Sequence, residues 1–146
     1  MPKLTPILCF KGKAAKAIEA YQNAFGAEVK FTMPFSKANP NDLQYTDEEK
    51  DYIYHAQITI GEQLIFIADD SDGILKGGTD NNSYNSYAVD LVVEFDTDDE
   101  LKTAFEVLLD GAEITKPMHS PAYCSLCVYL TDKFGTRWQF MSNEKK

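Results

Sequence analysis

The strongest constraint on how this chain folds is an internal repeat. Gly26-Ala27-Glu28-Val29 returns 85 positions later as Gly111-Ala112-Glu113-Ile114, each time directly after an amphipathic helical pattern. Before the first copy, Ala14, Ala17, Ile18, Tyr21 and Phe25 recur at helical spacing, and Gly26 stands where a left-handed cap stops a helix. Before the second, Thr97-Asp98-Asp99-Glu100 is a Thr-x-x-Glu capping box, and Leu101, Ala104, Phe105, Leu108 and Leu109 form one apolar face that Gly111 terminates. Phe25 and Phe105 are expected to be buried aromatics on these faces. An apolar, β-rich run precedes each helix, Leu4 to Phe10 and Tyr87 to Phe95.

A second match lies downstream. Ile60-Gly61-Glu62-Gln63-Leu64-Ile65-Phe66 aligns with Phe134-Gly135-Thr136-Arg137-Trp138-Gln139-Phe140 at a separation of 74, with a Gly turn between two strand-like runs in both. The drop from 85 to 74 assigns 11 extra residues to the first copy, where Pro34 to Lys50 reads as a loop. Each half is therefore β-α-β-β-β. The expected fold is α+β: tandem βαβββ modules forming a curved mixed sheet with helices on one face and a cavity on the other. Module one spans residues 1–69, a linker rich in Gly, Asn, Ser and Asp spans 70–86, and module two spans 87–146.

At 146 residues the chain suits one domain built from both modules. Its net charge of −9 and the absence of any basic run argue against nucleic acid and anionic membranes as partners. The longest apolar stretches, such as Leu64 to Ala68, fall far short of the roughly 18 to 20 residues that cross a bilayer. Met1 to Pro6 lacks the features of a secretory signal, and Cys9, Cys124 and Cys127 are an odd set of thiols, so a cytoplasmic location is expected.

Strand alternation sets His55 on one face with Gln57 and Thr59, and the 74 offset maps His55 onto Tyr129. His55 is the best candidate general base. Asp90 interrupts a run that is apolar at Val89, Leu91, Val92 and Val93, so it is expected to line a wet cavity or to guard a sheet edge. Gln139 shares a face with Arg137, which suits an anionic ligand. Cys124-Ser125-Leu126-Cys127 is a CxxC, yet in a β-like run positions i and i+3 point to opposite faces, which argues against zinc and against thioredoxin-type chemistry. Asp69-Asp70-Ser71-Asp72-Gly73 lacks the ligand spacing of a calcium loop. Phe66, Trp138 and Phe140 are expected in the core.

The helix Ala14 to Phe25 with Gly26, then His55-Ala56-Gln57-Ile58-Thr59-Ile60-Gly61, Asp69-Asp70, and above all Thr131-Asp132-Lys133-Phe134-Gly135-Thr136-Arg137-Trp138 resemble the PhnB-like branch of the glyoxalase, bleomycin-resistance and extradiol dioxygenase superfamily, or vicinal oxygen chelate superfamily. The resemblance covers nearly the whole chain and implies paired βαβββ modules, a homodimer and a small-molecule cavity. The superfamily's metal enzymes carry a His near the first strand of each module and a carboxylate in each last strand. Those positions fall here near Thr5 or Pro6, near Asp90, at Ile65 and at Gln139, which argues against a tight divalent metal. No cofactor is expected. A methyltransferase role, at times attached to this branch, finds no Gly-rich cofactor-binding β–α turn.

The expectation is a small-molecule-binding homodimer with His55, Asp90, Tyr129 and Gln139 facing one cavity. A metal-dependent lyase, isomerase or dioxygenase, and a non-catalytic interaction module, are the alternatives.

Overall fold

The computed structural model describes residues 1–70 and 88–144, in two compact units, Met1–Asn85 and Ser86–Lys146. The first runs β1 (Ile7–Phe10), α1 (Ala14–Phe25), β2 (Glu28–Pro34), β3 (Ile53–Ile60) and β4 (Gln63–Asp69). The second repeats the order as β5 (Leu91–Phe95), α2 (Asp98–Leu108), β6 (Glu113–His119), β7 (Leu126–Thr131) and β8 (Arg137–Ser142). The sheets are ordered β1-β4-β3-β2 and β5-β8-β7-β6, each with one parallel pair and two antiparallel pairs. The βαβββ reading of each half therefore holds. The first strands are shorter than the sequence suggests, and Tyr87 and all but Asp70 of the expected linker lie outside the described residues.

In the first unit α1 packs on β3 and β4, and the core is Ala14, Ala17, Ile18 and Tyr21 against Ala56, Ile58, Ile65 and Ile67. In the second, α2 lies against β5 and β8, with Leu101, Ala104 and Leu108 packed near Trp138 and Phe140. Phe25 and Phe105 are only half-buried, Phe25 because it is the last residue of α1 and Phe105 because it lies at the edge of the apolar stripe of α2. Gly26, at φ 68°, is the left-handed cap of α1, and its N–H reaches Gln22 O at 2.9 Å. Gly111 also has positive φ, and a Cβ there would lie 2.8 Å from Lys133 Cβ, so both glycines of the repeated tetrapeptide have steric reasons.

The ladders also correct the repeat register. Glu28 faces Thr59 as Glu113 faces Thr131, and Phe31 faces Gln57 as Lys116 faces Tyr129. Tyr129 is thus the counterpart of Gln57, and the counterpart of His55 is Cys127. Likewise Ile7 faces Phe66 as Val92 faces Gln139, so Phe66, not Ile65, matches Gln139. The cause is turn length. Ile60 pairs with Gln63 across Gly61 and Glu62, whereas Thr131 pairs with Arg137 across Asp132 to Thr136, so equating Gly61 with Gly135 slips β7 by two residues and β8 by one.

The extra segment of the first unit is not a featureless loop. Phe35 is fully buried, with the rings of Tyr45, Tyr52 and Tyr54 at 6.0, 5.7 and 6.4 Å, and Leu43 is buried too. Thr46 and Glu49 form a capping box that fixes a short turn of helix. No helix among the described residues is long and apolar enough to cross a membrane.

Candidate functional site

Alternation along each strand divides every sheet into a face that packs on its helix and a face turned away from it. In the first unit the latter carries Phe31 and Met33 of β2, His55 and Gln57 of β3, and Phe66 of β4. His55 Nε2 is 3.3 Å from Gln57 Nε2, and its ring meets Phe66 edge-on at 4.9 Å. Phe66 therefore leaves the expected core and becomes the apolar neighbour of His55.

The second unit's outer face is far more polar. Asp90, just before β5, accepts from Arg137 Nε at 2.5 Å through Oδ1 and from Gln139 Nε2 at 2.8 Å through Oδ2. The Gln139 amide, and after it Arg137, hold the Asp90 carboxyl below the usual carboxylate range, while burial opposes them. Tyr129 faces Gln139 across the β7–β8 ladder, and Lys116 Nζ lies 5.5 Å from the Tyr129 ring centroid. The Tyr129 hydroxyl is 3.3 Å from that of Tyr123, whose ionisation is pushed well above the ordinary range, chiefly by this bond.

Of the four residues singled out in the sequence, Asp90, Tyr129 and Gln139 thus come together on one face of the second sheet. His55 belongs to the other unit. Sequence reasoning missed Lys116, Tyr123 and His119 on that same face, and considered Cys127 only as part of the CxxC. Cys127 is wholly buried, with His119 Nε2 at 3.4 Å from its sulfur. The CxxC argument needs correction, because β7 begins only at Leu126 and Cys124 lies in the bend before it, where strand alternation does not apply.

The motif Thr131 to Trp138 has a structural purpose. Buried Asp132 accepts from Phe134 N (2.9 Å) and Thr136 N (3.0 Å) through Oδ1, and from Trp138 Nε1 (2.8 Å) through Oδ2. One carboxylate closes the turn and anchors the indole.

The metal positions implied by the superfamily hold Thr5 or Pro6, Asp90, Phe66 and Gln139. Both oxygens of the single carboxylate are taken by Arg137 and Gln139, and a guanidinium beside the site repels a cation. Among the described residues no group of three or more His, Cys, Asp or Glu side chains is arranged to hold a metal ion. These residues do not fit a tight divalent metal.

A family model for 3-demethylubiquinone-9 3-methyltransferase matches residues 2–141. No curated protein matches the chain. A protein of known structure from Pseudomonas aeruginosa superposes with a TM-score of 0.80 over 99% of this chain and 100% of its own, at 19% identity. The PhnB protein of Bacillus cereus gives 0.75 over 97% and 99%, at 25% identity. A glyoxalase/bleomycin resistance protein/dioxygenase family enzyme of Burkholderia phytofirmans gives 0.61 over 93% and 94%, at 14% identity. The family model covers nearly the whole chain and the folds agree, so the chain belongs to the 3-demethylubiquinone-9 3-methyltransferase family, a PhnB-like branch of the glyoxalase/bleomycin-resistance/dioxygenase superfamily.

Proposed function

We propose that this protein binds a small organic molecule on the outer face of its second sheet and does so without a tightly held divalent metal. The observation that carries this reading is the Asp90–Arg137–Gln139 network. A carboxylate oriented by two side chains at the end of a strand is a preorganised acceptor for a ligand N–H or O–H. Tyr129, across the ladder from Gln139, supplies an aromatic wall beside it. The family description names a methyl transfer, but no Gly-rich cofactor turn follows β1 or β5, and binding is the activity this donor set supports.

A thermal-shift screen of small molecules, with mass spectrometry of whatever co-purifies, tests this. A hit should lose more than half of its shift in Asp90→Asn while the unliganded midpoint moves little. Ligands that stabilise both proteins equally would overturn the assignment. Near-stoichiometric zinc, nickel, manganese or iron in protein purified without chelators would favour the metal-dependent alternative.

The same reading includes a homodimer. β1 and β5 are edge strands, and Ile7 and Val92 on them are each 51% exposed, which suits pairing with a second copy. Sedimentation at micromolar concentration should give twice the mass of the chain, and a monomer would sink this part.

A further inference from the structure

We propose that the outer face of the first sheet is a second ligand site, where Phe31, His55, Gln57 and Phe66 bind a neutral, flat aromatic lactam. It is built from other residues than the Asp90 network and does not depend on that network's reading.

The ladders set Gln57 of β3 between Phe31 of β2 and Phe66 of β4, and His55, two residues earlier on the same face, lies opposite Met33. The centroid of the His55 ring is 4.9 Å from that of Phe66 and 6.1 Å from that of Phe31, both within the range of paired aromatic rings. Three rings and one amide thus share a single patch.

The hydrogen bond inside the patch fixes what it can offer. Gln57 Nε2 is 3.3 Å from His55 Nε2. An amide nitrogen only donates, so Nε2 of the neutral imidazole accepts and Nδ1 carries the hydrogen. That Nδ1–H and the Gln57 Oε1 have no hydrogen-bond partner among the described residues. One donor and one acceptor on two neighbouring side chains call for a ligand with an acceptor and a donor on adjacent atoms. The C=O and N–H of a cyclic amide are such a pair, and fusion to an aromatic ring supplies the flat surface that the phenyl rings pack against.

Charge and size narrow the occupant further. Phe31, Met33, Gln57 and Phe66 are uncharged, whereas the matching row of the second sheet holds Lys116 and its neighbours Tyr129 and Gln139. An anion finds no lysine or arginine among these first-sheet residues and meets a chain of net charge −9, and a cation finds no carboxylate among them. Three strands about 4.8 Å apart and a two-residue step of about 7 Å make the patch roughly 10 Å by 7 Å. That is the footprint of two fused rings, and it is far below the roughly 800 Å² per partner that a second copy of the chain needs. Phe31 is 42% exposed and His55, Gln57 and Phe66 are half-buried, so a ligand reaches them from solvent on the side of the sheet opposite α1.

The test is equilibrium dialysis of the full-length chain at neutral pH against carbostyril, a two-ring aromatic lactam, with N-methylcarbostyril and naphthalene as controls. Carbostyril should bind about fivefold more tightly than N-methylcarbostyril, the scale of one neutral hydrogen bond, and naphthalene should bind most weakly. His55→Phe keeps a ring but removes the donor, so it should weaken carbostyril about fivefold and leave naphthalene unchanged. Phe31→Ser, at an exposed position that the fold tolerates, should weaken all three ligands. Asp90→Asn should change none of them, so failure here leaves the second-sheet reading standing. Equal affinity for carbostyril and naphthalene would overturn the proposal, as would carbostyril binding that survives Phe31→Ser intact or that is lost in Asp90→Asn.

Discussion

Asp69 and Ser142 hold the same ladder position in the two units, opposite Phe10 and Phe95, and each ties the start of a helix to the start of a strand. Asp69 does this alone, accepting from Ala14 N at 3.0 Å and Ile53 N at 2.9 Å. In the second unit the task is divided. Ser142 Oγ and Ser125 Oγ each donate to Asp98 Oδ1 at 2.6 Å, and Ser125 N donates to Ser142 O at 2.9 Å.

This difference sets unequal costs. Asp69→Ala leaves one buried and one half-buried N–H group without an acceptor and should destabilise by about 3 kcal/mol. Ser142→Ala should cost only about 1 kcal/mol, since Asp98 keeps Ser125. Urea midpoints of the two variants measure the difference, and equal shifts would show that the carboxylate is not the stronger tie.

The duplicated fold is legible in the sequence because its signals are local: a tetrapeptide after each helix, a capping box, and glycines whose positive φ is sterically required. The register of each last hairpin is not, since it depends on turn length and both turns contain a glycine. That slip pairs His55 with Tyr129 in the sequence, where the ladders pair it with Cys127. Asp90 and Gln139 are legible as polar interruptions of apolar strands. The cluster of His119, Tyr123 and Cys127 is not, because His119 meets Cys127 through a β6–β7 register that shifts twice, and Tyr123 reaches β7 from the turn between the strands, neither of which any periodicity records.

The half-buried aromatics should be worth less than a core position. Phe25→Ala and Phe105→Ala should each cost about 1 to 2 kcal/mol, against about 3 kcal/mol or more for Leu101→Ala, whose side chain is fully buried. Denaturant unfolding orders the three, and a Phe105→Ala cost equal to that of Leu101→Ala would place its ring in the core.

Asp132 should be as costly to remove as any core residue. Asp132→Ala strips acceptors from Phe134 N, Thr136 N and the indole N–H of Trp138, two of whose parent residues are themselves buried, so a loss of about 3 kcal/mol is expected. Trp138 is the single tryptophan, so its emission reports the site directly. Asp132→Asn keeps one acceptor oxygen and should recover part of the loss, whereas unchanged emission and midpoint in Asp132→Ala would mean the loop holds without the carboxylate.

Asp90 should give stability a pH dependence of definite sign. Its folded pKa is depressed, by the Gln139 amide first and Arg137 second against the opposing effect of burial. A carboxylate with a depressed folded pKa stabilises fully above its unfolded value of about 3.9, and that contribution disappears as pH falls through the folded value. Asp90→Asn should therefore be less stable than wild type by about 1 kcal/mol or less at pH 7, because an ion pair this near the surface is screened by solvent. The gap should stay constant down to about pH 5 and close below about pH 4, where the wild-type carboxylate takes up a proton. Paired urea titrations at pH 3, 5 and 7 measure it. A gap as wide at pH 3 as at pH 7 would mean that the charge on Asp90 contributes nothing to holding Arg137 and Gln139 in place.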